Sequence, residues 1–351
     1  MTEKKTVALL CGGRSSEHPI SLITAAGVLS AIDRTAYEVI TIGITRDGRW
    51  YLTDEQELAE LTAGTRGTAE FPEGTQQVFL PMGAGDSRLT LVDAEGNVTR
   101  TAPVDVVFPL LHGPFGEDGT VQGLLEMADL HYVGCGVTAS AVGMDKHFMK
   151  VAFESAGLEV GPYEVVTNRQ WEHEDREQIL ERVLKLGFPM FVKPTRAGSS
   201  FGITKVDSVE ELVPAIEEAR RHDPKIIIEA GIVGREIEVV DEDHGFYDFE
   251  AKYVSESSAV TVCPANLPQD VQDRLRELAV KAFLALDGEG LSRADFFYTE
   301  DGRLVINEVN TMPGFTPISM YKTMWENTGI SYTDLISELL TLAMERPLGL
   351  R

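Results

Sequence analysis

The chain has 351 residues, 43 % hydrophobic and 8 % aromatic, and its 56 acidic side chains against 31 basic ones give a net charge of -25. That length implies two or three compact units, and the apolar content excludes a disordered acidic chain. The charge disfavours nucleic acid and anionic membranes as partners.

In chain order, residues 7–11 form a short apolar strand, followed by a Gly-rich turn. An apolar stripe at helical spacing (Leu22, Ile23, Ala26, Leu29, Ile32) and a strand at 38–44 complete a βαβ opening. No apolar run approaches the roughly 20 residues of a membrane span, so the first run reads as a strand and not a signal peptide. Residues 62–86, rich in Gly, Thr and Glu, read as a loop-rich insertion. A strand at 104–111, a turn at 112–119, a helix at 120–130 and a strand at 131–133 close the first unit near Gly134. One long helix at 139–156 leads to strands at 188–193, 203–207 and 226–229 with a helix at 209–221. The third unit has a strand from Arg235, a polar loop around 243–263, and a helix at 270–286. A hairpin at 293–309 and a helix at 332–344 end it. The expected domains are 1–134, 135–233 and 234–351. The cysteines Cys11, Cys135 and Cys263 are odd in number and fall in no paired motif, so a reducing, cytoplasmic setting is expected.

The hairpin carries the sharpest chemical signal. Asp301-Gly302 lies between two β-rich runs, the pattern of a two-residue turn. Setting Glu300 opposite Arg303 places Asp295 opposite Glu308 and Arg293 opposite Asn310, all four on one face because strand side chains alternate. Two carboxylates facing each other repel, and a hard divalent cation turns that repulsion into coordination, which points to magnesium. A solvated outer face is the plainer reading, but Ala294, Phe296 and Val309 make the opposite face the apolar one.

Several loops could take anions or substrates. Lys193 ends a strand ahead of Gly198-Ser199-Ser200-Phe-Gly202, whose amides and hydroxyls suit phosphate, although an ordinary hairpin has the same composition and no P-loop is present. Gly134-Cys-Gly136-Val-Thr-Ala139 matches a dinucleotide fingerprint, but the chain beyond it runs toward a different unit, so a nicotinamide site is disfavoured. The loops 12–18 and 112–119 lie beyond strand carboxyl ends, where α/β sheets bind ligands. Glu17 there either meets a ligand or caps a helix. His18, His112 and His147 have no metal-ligand spacing, so structural roles are expected for them.

Taken together, GGRSSEHPISL, HGPFGEDG, GMDKHFMK, FVKPTRAGSSFGI, DFEAKYVSES, SRADFF and INEVNTMPGFTPISMY resemble, in order and over nearly the whole chain, the D-alanine:D-alanine ligases of the ATP-grasp superfamily. Only residues 51–104 fall outside the match. The resemblance implies an α/β and α+β fold, with an N-terminal Rossmann-like (preATP-grasp) domain and two α+β domains enclosing ATP. It implies ATP-dependent joining of two D-alanines through an acyl phosphate, for peptidoglycan precursors. By this resemblance Asp295, Glu308 and Asn310 hold Mg²⁺, with Mn²⁺ able to substitute and a monovalent cation as a further cofactor. Lys146, Lys193 and Lys252 contact phosphate, joined by Ser199 and Ser200 of the Gly/Ser loop. Glu229 takes the ribose, Ala230, Gly231 and Ile232 the adenine, and Glu236 completes the nucleotide site. Glu17 holds the first D-alanine's ammonium in a network with Ser199 and Tyr253, with His112 nearby. Ser319 and Met320 hold the second substrate's carboxylate, and Arg293 with the Gly314 amide stabilises the tetrahedral oxyanion. The loop 243–258 acts as a lid. Ligases that join D-alanine to D-lactate or D-serine share the fold and are the nearest rivals, and Tyr253 speaks for the dipeptide. A non-catalytic ATP-binding regulator is the rival from another class. A homodimer is implied as well, with no nucleic-acid or membrane partner.

Overall fold

The structure, a computed structural model, describes residues 4–63, 69–81, 83, 85–198, 202–240, 246–249, 261–316 and 319–349. Strand β1 (Lys5–Gly12) is buried at every position after Lys5, as a strand covered on both faces must be. It pairs in parallel with β2 (Tyr37–Ile44), after the crossover helix α1 (His18–Ala31). The stretch beyond β2 carries more structure than its composition suggests. Strand β3 (Trp50–Thr53), helix α2 (Glu55–Thr62) and strands β4 (Gln76–Phe79), β5 (Arg88–Asp93) and β6 (Val98–Pro103) extend the sheet in antiparallel fashion. With β7 (Val106–Pro109) parallel to β1 on the other side, the order is β6-β5-β4-β3-β2-β1-β7.

After helix α3 (Thr120–Met127), the strand expected at 131–133 is reduced to one bridge between Val107 and Tyr132. The bridge uses the His131 carbonyl and the Val133 amide on Val107, and the next rung would need an N–H at Pro109, which has none. The single long helix expected next is two, α4 (Val137–Met144) and α5 (Lys146–Ser155). Asp145 breaks it, because its side chain accepts from the His147 and Phe148 amides and so starts a new helix.

The second sheet holds β8 (Tyr163–Thr167), β9 (Met190–Pro194), β10 (Thr204–Val206) and β11 (Lys225–Ala230) in the order β10-β9-β11-β8. It is backed by α6 (Asn168–His173), α7 (Arg176–Val183) and α8 (Val209–Ala219). The third sheet has β12 (Gly234–Val239), β13 (Phe246–Phe249), β14 (Thr261–Val262), β15 (Arg293–Thr299) and β16 (Leu304–Asn310), in the order β14-β13-β12-β15-β16. Met149 and Phe153 of α5 pack on it beside helix α9 (Gln269–Ala285). Helices α10 (Met320–Thr328) and α11 (Tyr332–Glu345) then return to the first sheet. There Phe315, Tyr321, Met324, Ile336 and Leu340 share one core with Leu9, Leu22, Val28 and Phe108.

Candidate active site

The carboxyl end of the first sheet builds one wall of the site. Gly12 and Gly13 both take positive φ, and a side chain on Gly12 would lie 2.3 Å from the Ile44 carbonyl oxygen, so the turn has to be glycine. The Ser15 hydroxyl donates to the His112 carbonyl at 2.5 Å and accepts from the Glu17 amide at 3.1 Å. Glu17 stands at the N-cap of α1, yet its side chain makes no cap bond. A Cβ on either Gly113 or Gly198 would come within 2.6 Å of its Oε2, so the carboxylate is seated between the 112–119 loop and the Gly/Ser loop. His112 is buried beside Thr24, and burial pushes its pKa down to about 4 against an opposing bond to the Met312 backbone, so the ring is neutral at pH 7.

The second sheet contributes the cations. Lys193 at the end of β9 donates to Glu229 Oε2 at 2.5 Å, and Lys150 reaches Glu229 Oε1 at 3.1 Å. Burial opposes ionisation of Glu229, but the two lysines prevail and hold its pKa at about 2. Lys146 donates to the Ala197 carbonyl at 2.9 Å and lies 3.7 Å from Glu308 Oε2, linking the Gly/Ser loop to the third sheet. The root of that loop is fixed by Asp223, only 3 % exposed, which accepts from the Thr195 hydroxyl, the Arg196 and Lys225 amides and the Arg196 guanidinium.

On the third sheet Asp295 faces Glu308 and Arg293 faces Asn310, as the sequence predicts, although the count behind that register is wrong in two places. The turn is a three-residue loop, with Thr299 bonded to Arg303 and Gly302 at φ 85°. A bulge at Asn307 then restores the pairing beyond Asp295, so the two one-residue errors cancel. Arg293 grips Asp295 through two bonds of 2.8 and 2.7 Å, and these partners with Glu238 raise its pKa despite its burial. Burial also penalises the charge on Glu308, yet Lys146, Lys193 and Arg293 lower its pKa. Among the described residues no three His, Cys, Asp or Glu side chains gather as a metal cage. The oxygen set of two carboxylates and the Asn310 amide still suits magnesium, which keeps open positions for phosphates and water. A carboxylate has about four lone-pair sites, and Arg293 takes two of those on Asp295.

Lys146, Lys193, Arg293 and Glu308 therefore act on one another electrostatically, with Glu229 on Lys193, Asp295 on Arg293, and Glu17 seated at the Gly/Ser loop that Lys146 also reaches. Gly314 and Ser319 meet each other, with the Ser319 hydroxyl on the Gly314 carbonyl, and the nearby Met312 backbone reaches His112. Met320 opens α10. Ala230, Gly231 and Ile232 connect the second and third sheets, and the Ala230 and Gly231 amides are spent on the Pro162 and Pro189 carbonyls. A cavity of about 470 Å³ touches that segment together with Val160, Pro162, Asp301 and Arg303, away from the lysines. Glu236 is half-buried on β12. Ser199, Ser200, Lys252, Tyr253 and most of the expected lid lie outside the described residues. His18 is structural, held between the Gly13 carbonyl and the Phe71 amide.

Sequence reasoning gave no individual role to Lys150, Glu117 or Glu238. Lys150 lies four residues after Lys146, hence on the same helix face, and that spacing was a usable signal. Glu238 is opposite Asp295 on the other flank, a long-range pairing that no local pattern shows. Glu117 accepts from the Gly113 amide at 2.5 Å, and burial together with the nearby Glu17 pushes its pKa up to about 8. A carboxyl raised in this way binds more protons in the folded than in the unfolded chain, so its contribution to stability is full below about 4.5 and lost as pH rises through about 8. Glu117→Gln should therefore melt like the parent near pH 4.5 and at a higher temperature than the parent at pH 9. Parallel melting curves at both ends of the range would sink the assignment.

Comparison with known proteins finds relatives along the whole chain. The profile described as D-ala D-ala ligase N-terminus matches residues 6–135, and the one described as D-ala D-ala ligase C-terminus matches residues 152–341. The D-alanine--D-alanine ligase of Kocuria rhizophila is 56 % identical, covering 99 % of this chain and 96 % of that protein. Its counterpart from Paenarthrobacter aurescens is 54 % identical over 100 % and 98 %. Among solved structures, the D-alanine-D-alanine ligase from Coxiella burnetii superposes with a TM-score of 0.81 at 30 % identity, over 98 % of this chain and 95 % of that one. The VanG D-Ala:D-Ser ligase from Enterococcus faecalis gives 0.80 at 33 %, over 97 % and 100 %. Two profiles that together span most of the sequence, and relatives above half identity from end to end, place the chain in the D-alanine:D-alanine ligase family.

Proposed function

We infer that this chain joins two D-alanine molecules into D-alanyl-D-alanine, consuming ATP and releasing ADP and phosphate through an acyl-phosphate intermediate. The observation that carries the reading is the bridge from Glu17, between Gly113 and Gly198, to the Lys146–Glu308 contact. It brings the Glu17 carboxylate beside the Gly/Ser loop and the Asp295–Glu308 pair. Glu17 holds the first D-alanine's ammonium, which leaves that substrate's carboxylate directed at the lysines. Lys146 and Lys193 draw the anionic carboxylate and the γ-phosphate together, and attack of the carboxylate oxygen on phosphorus expels ADP. Asp295, Glu308 and Asn310 would hold Mg²⁺, which supplies charge neutralisation at the phosphates. Ser319 and Met320 receive the second D-alanine's carboxylate. Its amine attacks the acyl carbon, Arg293 and the Gly314 amide face the resulting oxyanion, and phosphate leaves. With Glu229 occupied by two lysines, Glu236 on β12 is the acid placed for the ribose, and the Ile232 amide is the hinge donor for adenine.

Cys11, Cys135 and Cys263 are in no disulfide, and no described helix is long and apolar enough to cross a membrane. Cysteines outside disulfides fit a reducing compartment, and we propose a cytoplasmic enzyme, a homodimer by its likeness to the family. Phosphate release from ATP tests the reading. D-Alanine alone should support it and L-alanine should not. With D-lactate or D-serine added, mass spectrometry should still find mainly the alanyl dipeptide. A predominant ester or alanyl-serine product would reassign the second site.

A further inference from the structure

We propose that the insertion between β2 and β7 is the positioning element of the first-substrate loop, acting through Phe71, His18 and Arg46. The proposal rests on the reading of Glu17 as the ammonium partner. The loop that carries Glu17 begins with two glycines of positive φ, which bring no side chain to hold the backbone in place. Two of its carbonyls are instead fastened by side chains, His18 at the start of α1 and Arg46 of the insertion. The Gly13 carbonyl lies 2.7 Å from His18 Nδ1, and the Phe71 amide donates to His18 Nε2 at 2.9 Å. Because a backbone N–H donates to Nε2, that nitrogen is the acceptor and the proton sits on Nδ1, so this neutral ring joins loop to insertion from both edges. The Ser15 carbonyl accepts from Arg46 NH1 at 3.2 Å, and Arg46 Nε reaches Glu70 at 2.7 Å.

Both fasteners end on residues 70 and 71 of the insertion. What holds those residues is Phe71, 5 % exposed, whose ring lies on Gly43 of β2 so closely that a Cβ there would sit 2.1 Å from it. The residues fastened, 13 and 15, lie in the turn that leads into Glu17, whose carboxylate sits between Gly113 and Gly198. Misplacing a substrate-binding group by an ångström costs on the order of 100-fold in rate, so a partial loosening should cost roughly tenfold.

The test is steady-state kinetics of Phe71→Ala with ATP and D-alanine varied separately, and hydrogen exchange of the amides at 13–18. The KM for the first D-alanine should rise about tenfold, with the ATP KM within about twofold of the parent and faster exchange at 13–18. Phe71→Leu, which keeps an apolar side chain over Gly43, should recover most of the loss. A folded Phe71→Ala protein with the parent's D-alanine KM overturns the proposal. If that variant does not fold, Arg46→Met decides, since its side chain is 42 % exposed: a D-alanine KM raised about threefold supports the clamp, and an unchanged one overturns it. Glu17→Gln in parallel separates the two readings. If it leaves the D-alanine KM untouched while Phe71→Ala raises it, the ammonium assignment fails and the clamp stands.

Discussion

Glu308→Gln should turn over at least about 100-fold more slowly than the parent, because the amide removes one anionic oxygen set from the face that also carries Asp295 and Asn310. Opposed carboxylates alone suggest that removing one charge relieves repulsion and stabilises the chain. The assembled cluster reverses that expectation. Asp295 is already neutralised by Arg293, and Glu308 stays ionised despite burial because of Lys146, Lys193 and Arg293. The variant should therefore melt slightly below the parent without magnesium, and magnesium with nucleotide should stabilise it less. Parent-like turnover at limiting magnesium removes Glu308 from the metal site.

Glu229→Ala is expected to have the largest effect on stability. It leaves Lys150, whose side chain is 3 % exposed, and Lys193 without their shared carboxylate. Removing one member of a buried ion pair costs about 3–5 kcal/mol, a drop of roughly 10 °C in melting temperature. The same group predicts an acid limb. Its pKa is depressed from 4.5 to about 2, so its contribution, about 3 kcal/mol, is complete above 4.5 and disappears as pH falls toward 2. Chemical denaturation of parent and Glu229→Gln between pH 5 and pH 2 should show the parent losing more stability than the variant. Equal losses would mean that the lysines do not hold this carboxylate ionised.

Local chemistry made much of the site legible. A strand pattern with period two placed Asp295, Glu308, Arg293 and Asn310 on one face, and the lysine expected at the end of a strand is the one that meets Glu229. The same local reading joined α4 to α5, because apolar periodicity continues through Asp145 and only the side chain's return to two amides shows the break. Residues 62–86 read as a loop because β4 is four residues long and borrows its pairing from β5, which is remote from composition. Glu117 and Glu238 were given no role of their own because their importance comes from what faces them across the fold. Glu17 illustrates the reverse case: its position at a helix start suggested a cap, and its actual neighbours come from residues 113 and 198.

The return of the last two helices to the first sheet has a consequence for biosynthesis. Leu22, Val28 and Phe108 are made early, but part of their cover, Phe315, Tyr321, Met324, Ile336 and Leu340, leaves the ribosome near the end of translation. The N-terminal half must wait with apolar surface uncovered while some two hundred residues are added, a stretch in which chains of this size are prone to aggregate. A nascent chain arrested ahead of residue 312 should therefore be captured by holdase chaperones far more than one arrested after release of residue 345, and the strongly negative charge of the whole chain helps keep that waiting intermediate apart from its neighbours.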